Sequence, residues 1–187
     1  MHPIVFLVGL HGTGKSTVGR QLAQHHGWRH ISLGDLGRLA RKNKRPNDVS
    51  LRLMVCMAAF RPGSDLPETT INAIVGEVTR NGHDRPVVCD GFPVKTEHIQ
   101  RLPQGAIVIE LVCNQQTREN RLAERESNTL RKWTPGLPSI RDAALPDLPD
   151  AAAIAGVVYL RVENTADGAP GLWAVTRQVL DHSTICQ

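Results

Sequence analysis

The sequence predicts an α/β fold, a three-layer sandwich in which a parallel sheet of about five strands lies between helices. Five short apolar runs have strand length, at Ile4–Val8, 29–31, 86–89, Ile107–Val112 and 157–162. Stretches with helical spacing separate them, the alternation that a parallel sheet with crossover helices requires. The first run is apolar at every position, as a strand covered on both faces is. A chain of 187 residues suits one domain.

Ile4–Val8 is bounded by Pro3 and Gly9 and reads as the central strand. A glycine-rich turn leads into a helix over 15–25, where Val18 and Leu22, four apart, give a buried side and Gly27 a stop. Residues 29–31 are a weaker second strand. Leu36, Leu39 and Ala40 have the spacing of a short helix, 42–48 is a polar break, and Leu51–Ala59 is helical in pattern. Asp65, Pro67 and Glu68 form a helix start with Asp65 as the cap. Ile71, Ile74, Val75 and Val78 carry that helix to Asn81-Gly82. The strand 86–89 stops at Asp90-Gly91, and Ile107–Val112 follows. Asn114 can cap a helix bearing Arg118, Arg121, Leu122 and Arg125. Residues 126–156 lack periodicity and contain Pro135, Pro138, Pro146 and Pro149, so they read as an irregular, mobile cover with an Ala-rich end. A strand at 157–162 and a helix at 172–180 close a single domain over 1–187 with no internal repeat.

Hydrophobic residues make up 41% and charged residues 21%, which excludes a wholly disordered chain. Aromatics are 4%, too few for an extensive base-stacking surface. The basic cluster at 41–45 is short and has no interleaved aromatics, so it reads as a solvated loop and nucleic acid is not an expected partner. A net charge of +4 permits nucleic-acid binding without arguing for it, and equally suits an enzyme whose substrate is a phosphate. Cys56, Cys89, Cys113 and Cys186 form no CxxC pair and match no zinc spacing. No cationic lead precedes the first apolar run, and no segment approaches the length of a membrane span. The expectation is a reduced, cytoplasmic monomer without membrane contact.

Gly9-Leu10-His11-Gly12-Thr13-Gly14-Lys15-Ser16 fits G-x-x-x-x-G-K-[ST] at every fixed position, between a buried strand and an amphipathic helix. Glycines let the backbone wrap a phosphate with its N–H groups inward, and the helix start favours anions. Lys15 can then reach the outer phosphates and the Ser16 hydroxyl can join a Mg²⁺ shell. ATP or GTP is the expected donor, its β-phosphate over residues 12–16. His11 fills a variable position of the motif. Asp90, at the end of an apolar strand, can face the same Mg²⁺ through water, although a turn also favours aspartate there.

Three further segments follow in order: Ile31-Ser32-Leu33-Gly34-Asp35-Leu36-Gly37-Arg38, Asp90-Gly91-Phe92-Pro93 and Arg121-Leu122-Ala123-Glu124-Arg125. With the loop at 9–17 they resemble the adenylate kinase-like nucleoside monophosphate kinases over residues 4–125. The resemblance implies a P-loop NTPase fold and an ATP-dependent kinase that moves the γ-phosphate to a nucleoside monophosphate, with ATP and Mg²⁺ as cofactors. It implies that Gly9, Gly12, Thr13, Gly14, Lys15, Ser16 and Thr17 hold the donor phosphates and that Ser16 and Asp90 serve the metal. Arg121 and Arg125 would hold the donor and, with Lys15, neutralise charge during transfer. Asp35, Arg38, Gly91, Phe92, Lys95 and His98 would form the acceptor side, with Arg38 on the acceptor phosphate. An acceptor-side helical region would span 36–85 and a lid-like insertion 126–156.

The chain departs from that family's pattern chiefly around the acceptor. Val94 stands in place of an arginine, with Lys95 beside it, and Leu33 in place of a threonine. His98 replaces a glutamine, with Gln100 two residues on. Arg131, Lys132 and Arg141 fall in the lid region without an Arg-x-Asp-Asp pattern or a four-cysteine zinc lid. Two other readings therefore stand beside the first. One is a P-loop kinase acting on a hydroxyl of a small molecule or nucleoside, in which Asp35 is the general base; in a nucleotide kinase Asp35 would orient a positive group or metal-bound water. The other is an NTPase or nucleotide-binding module.

Overall fold

Every side chain of β1, Ile4–Val8, is buried. Ile4, Phe6 and Val8 enter one core and Val5 and Leu7 the other, so the strand's alternation supplies both faces of the sheet. The computed structural model describes residues 1–60, 64–128, 140–165 and 168–185. After β1 come α1 (Lys15–His26), β2 (Arg29–Ser32), α2 (Leu33–Ala40), α3 (Leu51–Ala59), α4 (Glu68–Gly82) and β3 (Val87–Asp90). Then follow β4 (Ile107–Val112), α5 (Gln115–Asn128), α6 (Ile140–Ala143), α7 (Leu148–Ala155), β5 (Val158–Glu163) and α8 (Gly168–Ile185). Short 3-10 segments lie at Thr96–Arg101 and Leu145–Asp147.

The sheet has the order β2-β3-β1-β4-β5 and every pairing is parallel. β1 is central, as expected. Val18 and Leu22 of α1 and Val175 and Val179 of α8 cover one face. Leu53, Ile74, Val78, Leu148 and Ala152, from α3, α4 and α7, cover the other. β2 and β3 lie on one side of β1 and β4 and β5 on the other, so a crevice opens at the carboxyl end of the central strands, where such sheets bind ligands.

Two expectations are corrected. Asp65 does not cap α4, which starts after Pro67; its carboxylate instead takes the Lys95 ammonium at 2.8 Å. The second half of the supposed irregular cover is helical: α6, a 3-10 turn and α7 occupy most of 140–155, and Leu145, Leu148 and Ala152 are buried. Pro146 and Pro149 were poor guides because each falls in the first turn of its helical segment, where no N–H is needed. Residues 129–139, with Arg131 and Lys132, and the side chain of Arg141 lie outside the described residues. Asn114 caps α5 as expected, its Oδ1 accepting from the Thr117 N–H at 2.8 Å. Among the described residues no helix is long and apolar enough to cross a membrane.

Candidate active site

The turn between β1 and α1 is shaped by Gly12 (φ 87°) and Gly14 (φ 93°), both in left-handed backbone that other residues enter at a cost. Space forbids a side chain as well. A Cβ on Gly12 would lie 2.8 Å from Arg118 Cγ and 2.9 Å from the Arg118 carbonyl oxygen, because α5 rests on the loop. A Cβ on Gly14 would collide with the Asn164 side-chain amide. Thr13 is buried and its hydroxyl donates to the Leu10 carbonyl at 2.9 Å. Lys15 folds its ammonium back onto the loop, donating to the Gly9 and Leu10 carbonyls at 2.6 and 2.7 Å. This braces the loop and keeps the charge at its centre. α1 has no side-chain cap, which leaves its first N–H groups available to an anion.

Asp90 ends β3 and is buried. Its carboxylate contacts His30 Nε2 at 2.8 Å and accepts from Ser32 Oγ at 3.0 Å. Parallel pairing sets Ser32 opposite Asp90. Burial would raise the pKa of Asp90. The hydrogen bond and electrostatics of His30, then hydrogen bonds from Ser16 and Ser32, outweigh burial and hold it below the usual carboxylate value. His30 is a site residue that the motifs did not reveal. Its ring fills the space where a Cβ of Gly19, in the middle of α1, would stand. A glycine at a mid-helix position was the signal available in the sequence.

Beyond β2, Ser32 caps α2 by accepting from the Asp35 N–H at 3.4 Å. One turn later Arg38 pairs with the Asp35 carboxylate. Phe92 is fully buried, stacked on His98 with centroids 5.0 Å apart and tilted against Phe6 at 5.9 Å. His98 is also buried, its Nδ1 accepting from the Val94 N–H at 3.2 Å. It thereby holds the 92–94 turn.

A cavity of about 470 Å³ joins these parts. Gly9, Gly12, Gly14, Lys15, Ser16 and Thr17 line it together with Arg121. Asp35, Arg38, Asp90, Gly91, Phe92 and Val94 line it too, and strand pairing sets Asp90 between the ends of β1 and β2. Thr13 lies behind the loop. Lys95 and His98 do not line the cavity; the first turns to Asp65 and the second supports the turn from behind. Arg125 lies on α5, with its side chain outside those described. Arg121 donates to the Asn164 carbonyl at 3.0 Å. Among the described residues no three His, Cys, Asp or Glu side chains gather to hold a metal. A hydroxyl and one carboxylate, Ser16 and Asp90, are nevertheless the donor set that Mg²⁺ takes when substrate phosphates and water complete its shell. The donor chemistry here fits that ion.

A family model described as an AAA domain matches residues 8–132. UMP-CMP kinase 3 of Arabidopsis thaliana is 30% identical over 95 residues, 51% of this chain and 45% of that protein. The adenylate kinase of Haloarcula marismortui is 27% identical over 124 residues, 66% of this chain and 56% of that protein. The chain thus spans about half the length of the curated relatives it matches. A gluconokinase structure from Sinorhizobium meliloti 1021 superposes with a TM-score of 0.59 at 19% identity, over 97% of this chain and 91% of that one, a likeness of fold. The matched span runs from the end of β1 past α5 and contains the phosphate loop, Asp90 and Arg121. By that match, which covers most of the sheet and the phosphate loop, the chain belongs to the family described as an AAA domain.

Proposed function

We propose that the protein transfers the γ-phosphate of ATP to a nucleoside monophosphate. The observation that carries this is that Arg38 lines the same cavity as Lys15, the phosphate loop and Asp90. Donor phosphates rest on the α1 N–H groups and the loop backbone. Lys15 leaves its own carbonyls for the outer phosphates, and Arg121 takes the charge that develops on the transferring group. Ser16 and Asp90 would hold Mg²⁺, which when bound would supply positive charge beside the donor phosphates. Arg38 fixes the acceptor phosphate, which is ionised and needs no base. Little covalent chemistry is asked of the protein, so alignment supplies most of the rate.

A second reading, phosphorylation of a hydroxyl, is favoured by two observations at the acceptor end. Val94 lines the cavity where a second phosphate-gripping cation is wanted, and Lys95 is drawn off to Asp65. The Asp35 carboxylate meanwhile faces the same cavity, where a hydroxyl acceptor would use it as base. The test is a product screen by mass. Purified protein is incubated with Mg²⁺-ATP, or Mg²⁺-GTP, and a panel of monophosphates, nucleosides and small alcohols. Phosphorylated monophosphates, with Arg38→Ala raising the acceptor KM sharply and leaving the donor KM alone, support the first reading. Phosphorylated alcohols, with Asp35→Asn nearly inactive, would replace it by the second.

A further inference from the structure

Asn164 belongs to no motif and lies beyond both the family match and the resemblance. It follows the last residue of β5, is almost fully buried, and makes three hydrogen bonds with three parts of the molecule. Its N–H donates to the Val112 carbonyl at 2.7 Å, extending the β4–β5 ladder by one rung. Its side-chain Nδ2 donates to the Thr13 carbonyl in the phosphate loop at 2.7 Å. Its own carbonyl accepts from Arg121 at 3.0 Å. Gly14 must lack a side chain to let that amide in.

A trans peptide is planar, with its C=O and N–H pointing opposite ways. Pinning the Thr13 carbonyl toward Asn164 therefore aims the Gly14 N–H away from it. We propose that Asn164 is a positioning residue for the donor. It sets the Thr13–Gly14 peptide so that the Gly14 N–H faces the donor phosphates, and it holds Arg121 at the same place, tying both to the rigid β4–β5 edge. This rests on the reading of the loop as a nucleotide-phosphate site. The glycines that give the loop its shape also leave it free to turn over, so an anchor outside the loop is needed to keep one peptide orientation. A buried amide donor with a carbonyl acceptor is such an anchor, because breaking the pair leaves a buried carbonyl unsatisfied.

The test uses Asn164→Ala and Asn164→Asp, titrated with Mg²⁺-ATP by calorimetry beside the parent, together with melting of each protein without nucleotide. Asn164→Ala should weaken Mg²⁺-ATP binding about tenfold, the effect of one lost buried hydrogen bond. Asn164→Asp should weaken it further, since a carboxylate would face the Thr13 carbonyl and repel phosphate. Amides of residues 12–16 should exchange faster in the variants while those of β1 and β4 do not change. Folded variants that bind Mg²⁺-ATP within about twofold of the parent, or a lowered melting temperature with unchanged affinity, overturn the proposal. Should neither variant fold, exchange in the parent decides. Joint protection of Gly14 and Asn164 on adding Mg²⁺-ATP supports the anchor, and protection of Gly14 alone overturns it. A parent that binds no Mg²⁺-ATP overturns the phosphate-site reading itself and the anchor with it.

Discussion

Gly19 occupies the middle of α1, where alanine would be worth about 1 kcal/mol in helix propensity. The His30 ring excludes that alanine, because it must lie against α1 to reach Asp90. Gly19→Ala should therefore destabilise the protein by about 1–3 kcal/mol in urea unfolding, the opposite sign to its propensity gain, and should weaken the Mg²⁺ dependence of the reaction. A stabilised variant would show that the ring is free to move aside. At the far edge of the sheet, Tyr159 donates to Glu110 Oε2 at 3.1 Å, and Arg161 donates to the same oxygen at 3.0 Å. Burial first, then the Glu110 charge and hydrogen bond, push the Tyr159 hydroxyl well above its ordinary value. The folded state then keeps this proton after the unfolded chain has lost it. Its contribution is complete below about pH 10 and is lost as pH rises above that. The slope is at most about 1.4 kcal/mol per pH unit, reduced by solvent because the side chain is only half-buried. Tyr159→Phe should flatten the fall in urea stability between about pH 9 and 11. Neither the His30 nor the Glu110 arrangement could be read from local sequence, since each partner is brought in by strand pairing.

Elements were legible where their pattern was local. β1, α3 and β4 stand at the expected residues, because an unbroken apolar run or a helical repeat needs no distant partner to be recognised. Termini set by tertiary contacts were less legible. α3 is held at its start by its own cap and by α4. Ser50 Oγ accepts from the Leu53 N–H at 3.3 Å, and the Ser50 N–H donates to Glu77 Oε2 at 3.2 Å. Glu77 is buried and also receives Arg80 at 2.6 Å and the Asn81 amide at 3.2 Å. Ser50→Ala should cost about 1 kcal/mol of unfolding free energy. Glu77→Ala, which orphans several donors at once, should cost at least about 2 kcal/mol in the same measurement. Residues 140–155 are largely helical despite Pro146 and Pro149, and Leu145, Leu148 and Ala152 already spell a buried side. In the protein without nucleotide, the amides of Ala152 and Val157 should exchange slowly, the second donating to the Ala152 carbonyl at 2.9 Å. Fast exchange there would restore the picture of a mobile cover.

Across the whole molecule, the site occupies the carboxyl edge of the sheet while both cores lie beneath it, and this separates stability from activity. The phosphate loop was readable because its pattern is written in one continuous stretch, 9–16. The placement of Lys95 and His98 was not, because they are directed by Asp65 and Phe92, partners that the fold brings to them. Lys15 tests the separation. Its ammonium bonds two carbonyls of its own loop, which stand near solvent and can exchange that partner for water. Lys15→Ala should therefore unfold in urea within about 1 kcal/mol of the parent. Transfer is another matter, because a cation aimed at developing phosphate charge acts most strongly in the transition state. Turnover should fall by about a hundredfold or more, the cost of deleting one aligned donor to such charge. Under the proposed function acceptor KM should stay near that of the parent, since Arg38 and Asp35 stand on α2 and not on the loop. Turnover equal to the parent's, with the same product by mass, would mean that the loop lysine braces the loop and nothing more.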